Sequence, residues 1–346
     1  MTTLERNPHR ELAITSSALS SDFRPVPVFN PGPSIAAAVL LLCTLTGAAT
    51  TTAAPPPGTP EEGSWPAAMT GRNGSHLIAG QETLIEIAPR SFLGYEALRK
   101  ANPAIDPWLP NIGEEVLLPH FTIVPDEVAP GITINLPEYR LYFVREDAEG
   151  CHLRSYPVGI GSEKNPTPTG TFTVGTRIIN PWWKVPQDLR KERRLPQVVP
   201  PGKDNPLGAY WLGISGRGIG IHGTNEPFGI GRLSSHGCIR LYPDDVKLLF
   251  PRVASGTRVQ IINKPIKLGI KLNALFLEAH PRLYGQEGDA LAEVLHQAEK
   301  LDWRWGVDWQ EVAMILRETR GTPRVIAFRP EGVALATAPH SRSSYK

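Results

Sequence analysis

The sequence predicts a mainly β protein, sandwich- or barrel-like, preceded by a small strand–helix–helix–strand (βααβ) unit. Three observations lead there. From Gly131 onward apolar residues alternate with period two: Ile132, Ile134 and Leu136, then Tyr139, Leu141 and Phe143. Side chains on a strand point to alternate faces, so this period marks strands. Proline makes up 35 of the 346 residues, about twice its usual share of roughly 5 %. Such a composition favours loops and short strands over long helices. Finally, glycine and proline punctuate short apolar stretches, "LRSYPVGIG", "TGTFTVG", "GIGIHG" and "TRVQIIN", as far as Asn263.

The elements follow in chain order. Residues 1–54 hold a polar head, Met1 to Asn30, and an apolar run, Ile35 to Leu45. The run has the length of a signal-peptide core and is short for a membrane span, which takes about 20 apolar residues. Small residues follow it, as a signal-peptidase site requires. Export is the expectation. Cleaved signal peptide and uncleaved anchor both stay open, because the head balances Arg6, Arg10 and Arg24 against Glu5, Glu11 and Asp22. A buried core helix is the alternative. Residues 55–74 read as a Pro/Gly-rich linker. In 75–119, Thr83 and Glu86 have capping-box spacing ahead of an apolar pattern, which starts a short helix. "GYEALRKAN" forms a second helix, and "SHLI" and "EVLLP" flank the pair as strands. Residues 127–264 carry the alternating pattern, with one short helix after Pro243, where Asp244 and Asp245 suit the positive helix end. Residues 265–346 form a C-terminal extension with helical patterns near Asp289 to Leu301 and Asp308 to Glu318. Its role is not legible. A net charge of +2 gives no electrostatic case for a nucleic-acid partner.

The chemistry concentrates in "IGIHGTNEPFGIGRLSSHGCIRL", Ile219 to Leu241. His222, His236 and Cys238 fall together there. A thiol becomes a good nucleophile as thiolate, which a nearby histidine or convergent backbone amides promote. The glycines permit a tight turn whose N–H groups can face a developing oxyanion. The stretch therefore supplies a nucleophile, a base and an oxyanion hole. Competing readings are a zinc site on the same three side chains, whose spacing matches no standard ligand pattern, and an inert packed cysteine. A disulfide between Cys151 and Cys238 is a further alternative, with Cys151 otherwise an ordinary strand residue of a hairpin.

"HG…SSHGCIRL" resembles the catalytic signature of the L,D-transpeptidases, cysteine enzymes that cross-link bacterial peptidoglycan. The similarity extends over "INLPEYRLYFV", "YPVGIGSEKNPTPTGTFTV", "NPWWKVP" and "LPQVVPPGKDNPLGAYWL". Upstream, "GQETLIEIA", "ANPAIDPWLP" and "VLLP" resemble a lysin motif (LysM), a small wall-glycan-binding module; a structural cap on the next domain is the alternative for that segment. The resemblance implies that Cys238 is the nucleophile and His222 the general acid/base, with Ser235, His236 and Gly237 shaping the oxyanion or substrate loop. Many family members have Asn where this chain has Arg240. A cation there either holds a substrate carboxylate or pairs structurally. The implied reaction is ping-pong. Cys238 takes the acyl group of a stem tetrapeptide, D-alanine leaves, and an amine resolves the thioester. That amine belongs to another stem peptide (a 3→3 cross-link) or to a lysine of an outer-membrane lipoprotein. Water in its place would make a carboxypeptidase. No metal or organic cofactor is implied, and the partners are peptidoglycan stem peptides and glycan.

Two other classes remain. A papain-like cysteine peptidase or amidase places its cysteine before its histidine, inside a helix-starting motif; here His222 comes first. A non-catalytic wall-binding protein would not need the His222/Cys238 pair.

Overall fold

Alternating apolar residues give the chain its main sheet. The computed structural model describes residues 63–64, 68–148 and 150–330; the expected signal segment within 1–54 and most of the 55–74 linker lie outside them. Nine strands hydrogen-bond in the order Gly63–Ser64, Gly150–Pro157, Arg140–Asp147, Gly131–Asn135, Arg258–Ile262, Gly170–Ile179, Tyr210–Ile214, Gly220–His222 and Ile239–Arg240. The fold is mainly β, as the periodicity predicts, and the sheet is curled. Ile132, Ile134, Leu136, Leu141 and Phe143 are all buried in one core with Val259, Ile261 and Ile239. Most neighbours run antiparallel. The two exceptions are Arg258–Ile262 beside Gly131–Asn135, and Gly220–His222 beside Ile239–Arg240. The second parallel pair positions the site.

Ahead of this sheet, Gly74–Leu77 pairs antiparallel with Glu115–Leu118. Helices Leu84–Arg90 and Tyr95–Ala101 lie between them in sequence and cover them with Leu84, Ile87 and Leu98. The capping box forms: the Glu86 carboxylate accepts from the Thr83 backbone N–H at 2.9 Å and from its hydroxyl at 2.8 Å. The helix after Pro243 spans Pro243–Leu249.

The C-terminal helices lie at Ala290–Lys300 and Trp309–Glu318, each started by a side-chain cap, Asp289 and Asp308. They pack on something the sequence reading missed, a three-stranded sheet of Ile266–Lys271, Ala274–Ala279 and Arg324–Phe328. Lys267 and Glu278 hid it, because charged residues interrupt the apolar pattern and read as surface. Both are buried, at 3 % and 1 % exposure. Lys267 Nζ lies 2.7 Å from Glu138 and 2.8 Å from Glu278. It also donates to the Ile123 carbonyl at 2.7 Å, and Tyr142 Oη donates to Glu138 at 2.9 Å. Buried charges are tolerated when paired and fully hydrogen-bonded. This cluster joins the C-terminal sheet to the main one. Among the described residues, no helix is long and apolar enough to cross a membrane.

Candidate active site

The parallel pair sets Ile221 opposite Ile239 and His222 opposite Arg240. Residues two apart on a strand share a face, so Cys238, just before Ile239–Arg240, lies on the side of His222 and Arg240. All three line one pocket of about 360 Å³, roofed by Trp182, Trp183 and Lys184. Ser235 and His236 line it as well. Cys151 lies on the Gly150–Pro157 strand outside that lining, and both it and Cys238 are free thiols. The disulfide alternative is thereby excluded for this structure.

The His222 ring has a defined orientation. His222 is buried, and its Nδ1 lies 2.6 Å from the Gly223 carbonyl oxygen. A carbonyl only accepts, so Nδ1 carries the hydrogen and Nε2 keeps its lone pair. Trp211 stacks on the ring at 5.5 Å between centroids and 20° between planes. Burial pushes the His222 pKa down to about 4; the carbonyls of Gly223 and Leu207 act against that, and the Arg240 charge adds to it. Burial raises the Cys238 thiol, while a backbone hydrogen bond with Gly220 and the Arg240 charge act to lower it. At neutral pH the two side chains are thus a neutral imidazole and a neutral thiol.

The glycine before Cys238 is required by the backbone. Gly237 has φ +97°, in the region that side chains other than glycine's disfavour. Ser235 is buried and its Oγ donates to the Cys238 carbonyl at 2.6 Å. Ser235 therefore shapes the turn through the backbone of Cys238. His236 is exposed at the pocket mouth. Arg240 pairs with Glu226 at the rim, 3.3 Å apart. Its Nε is buried and faces no hydrogen-bond partner among the described residues.

Sequence reasoning missed three supports. Thr167 is buried; its Oγ1 accepts from the Gly161 N–H at 2.9 Å and donates to the Gly237 carbonyl at 3.1 Å. Tyr284, from the C-terminal part, donates to the Gly161 carbonyl at 2.7 Å. Trp211 stacks on the His222 ring. Thr167 and Trp211 sit inside stretches with no local signature for such contacts. Adjacent tryptophans between prolines, as in "NPWWKVP", are the one signal that could have found the pocket roof.

One group of possible metal ligands comes together among the described residues: Glu138, Glu278 and His280. Lys267 Nζ already stands among the carboxylates as their cation, and none of the group lines the Cys238 pocket.

Comparison with known proteins gives one answer. The family profile described as the L,D-transpeptidase catalytic domain (YkuD) matches residues 129–261. The chain is 38 % identical over 236 residues to a probable L,D-transpeptidase, YcfS, of Escherichia coli, a match covering 64 % of this chain and 73 % of that protein. It is 39 % identical over 209 residues to a probable L,D-transpeptidase, ErfK/SrfK, of Salmonella typhimurium, covering 58 % and 67 %. Among solved structures it is similar to the catalytic domain of an Enterococcus faecium L,D-transpeptidase. That match has 26 % identity and a TM-score of 0.31, and covers 40 % of this chain and 100 % of that one.

Proposed function

This chain is a member of the L,D-transpeptidase family, and on that premise we propose that it is an exported peptidoglycan acyltransferase working through a thioester on Cys238. The observation that carries the reading is the shared pocket of Cys238 and His222, with Nδ1 committed to a carbonyl and Nε2 left to take a proton. Cys238 gives its proton to Nε2 and attacks the carbonyl of the third residue of a stem tetrapeptide. The tetrahedral intermediate collapses, and D-alanine leaves as its amine takes the proton from His222. An acceptor amine then attacks the thioester, His222 removes the extra proton, and the thiol is restored as the amide forms. Gly237 holds the turn whose N–H groups face the oxyanion. Arg240 lines the same pocket, where its charge favours a substrate carboxylate.

Residues 75–119 serve in this reading as a LysM-like module that holds the wall glycan. Trp108, Leu109 and Ile112 stand exposed there. The apolar run Ile35 to Leu45 supports export to the periplasm or cell envelope. The acceptor is an amine of a second stem peptide or of a lipoprotein lysine.

The test is incubation of the full chain with a disaccharide–tetrapeptide, alone and with a lysine-terminated peptide, followed by mass spectrometry. Release of D-alanine with formation of a new amide is the expected result, absent in Cys238→Ala. Release that persists in Cys238→Ala, or no release at all, overturns the reading. D-alanine release without a new amide makes water the acceptor.

A further inference from the structure

We propose that the βααβ unit, besides any wall binding, positions the nucleophile, acting through a backbone contact between Gly94 and Gly231 and the stack of Arg232 on Tyr95. The inference rests on the assignment of Cys238 and His222 above. The chain between them passes through Ile230, Gly231 and Arg232, and there the unit grips it. A Cβ on Gly94 would lie 2.8 Å from Gly231 Cα, and one on Gly231 would lie 2.5 Å from Gly94 Cα. Two backbones approach this closely only where neither residue has a side chain. The Tyr95 N–H donates to the Ile230 carbonyl at 3.2 Å. The Arg232 guanidinium lies 3.9 Å from the Tyr95 ring centroid. From the far side of the nucleophile, Tyr242 Oη donates to the Leu93 carbonyl at 2.8 Å. The unit thus touches the chain on both sides of Cys238.

The grip is passed on rigidly. The Gly231 N–H donates to the Val158 carbonyl at 3.0 Å. Leu233 and Ser235 then pair with Ile160 and Gly161. Ser235 holds the Cys238 carbonyl, and Gly161 and Thr167 hold Gly237. Backbone pairing on either side of an irregularity at Ser234 links Gly231 to the turn at Cys238, so a shift at Gly231 is felt at Cys238. Misplacement of a reacting group by about 1 Å can cost about a hundredfold in rate.

Gly94→Ala in the full chain is the direct test. Gly94 has φ −78° and ψ 146°, which alanine adopts without strain, so the new methyl acts only by pushing the unit off Gly231. The expected result, well below the melting temperature, is a kcat about tenfold lower on a soluble tetrapeptide with KM little changed. Alkylation of Cys238 by iodoacetamide should move the opposite way. Loosening the turn admits water to a thiol that burial now holds up, so its pH profile shifts to lower pH and alkylation at neutral pH speeds up. A merely structural contact would lower the melting temperature and leave kcat and the alkylation profile at wild-type values, and that outcome overturns the proposal. Arg232→Gln, which removes the stacked cation without adding bulk, carries the same two readouts should Gly94→Ala not fold. If the wild type does not act on the tetrapeptide, the functional reading fails; the alkylation profile still decides the positioning role on its own.

Discussion

The Gly223 carbonyl lies 2.6 Å from Nδ1 of His222, and this one contact fixes which ring nitrogen carries the hydrogen. Because Nδ1–H is spent on its neighbour's backbone, Nε2 is the nitrogen left for the proton transfer proposed above. Burial meanwhile holds the ring neutral far below physiological pH. Activity should therefore keep an acid limb near pH 4, where His222 protonates, and not near the ordinary 6.5. Measuring kcat/KM from pH 3 to 9 checks it; an acid limb at 6 or above would mean that the base is solvated or is another residue.

Arg240 acts on both members of the pair, and the signs can be separated. Its charge disfavours imidazolium and favours thiolate. Arg240→Met should raise both pKa values. The alkylation profile of Cys238 then moves to higher pH, and the acid limb of kcat/KM moves up from about 4. Arg240→Lys should restore most of each shift, since the charge returns, yet not the planar fork that meets a carboxylate.

Cys238→Ala should abolish turnover with the fold intact, whereas Cys151→Ala should keep most of it, because Cys151 lies outside the pocket. Equal losses in the two variants would refute the assignment of the nucleophile. His222→Ala should lose about 10²–10⁴-fold, the usual worth of general acid/base help. His236→Ala, at the exposed pocket mouth, should lose far less.

Thr167→Val should lower activity about tenfold or more while costing only about 1–3 kcal/mol of stability, the usual penalty for an unsatisfied buried group. It leaves the Gly161 N–H and the Gly237 carbonyl without the hydroxyl between them. Tyr284→Phe should show a weaker version of the same defect, since it removes the bond to the Gly161 carbonyl. Paired kcat and thermal-denaturation measurements check both; wild-type kcat in Thr167→Val would show that Gly237 is held without it.

Two buried carboxyls should give opposite dependences of stability on pH. Glu278 is held below the usual carboxylate range by Lys267 and His280 against its burial. A depressed native pKa adds stability that is full above the ordinary 4.5 and is lost as pH falls below it. Asp245 is buried without a partner among the described residues, and burial, with the nearby charge of Asp244, raises it to about 7. A raised native carboxyl pKa costs stability as pH climbs from the ordinary 3.8 through about 7. Asp245→Asn should accordingly raise the melting temperature at pH 8 and do nothing at pH 4. Lys267→Met should destabilise by about 3–5 kcal/mol, because it removes the buried cation that Glu138 and Glu278 share. An Asp245→Asn variant equally stabilised at both pH values would show that shape, not charge, is at stake.

The sequence by itself determined the strands and pointed to the residues of the candidate site. Period-two alternation placed Ile132 to Phe143 on one core face, because a strand's geometry is local. The helical patterns near Asp289 to Leu301 and Asp308 to Glu318 were legible for the same reason, since helix periodicity is local. "SSHGCIRL" named Cys238, Gly237 and Arg240, since the turn needs its glycine at the nucleophile's own doorstep. Tertiary structure alone decided the rest. Whether the base uses Nδ1 or Nε2 depends on where the Gly223 carbonyl points. The three-stranded C-terminal sheet stayed hidden because Lys267 finds Glu138 only across 129 residues of chain. Thr167, Tyr284 and the Gly94–Gly231 contact likewise join segments far apart in sequence. Local pattern records what a residue does to its own backbone; partners brought together by packing leave no mark in the spacing of either one.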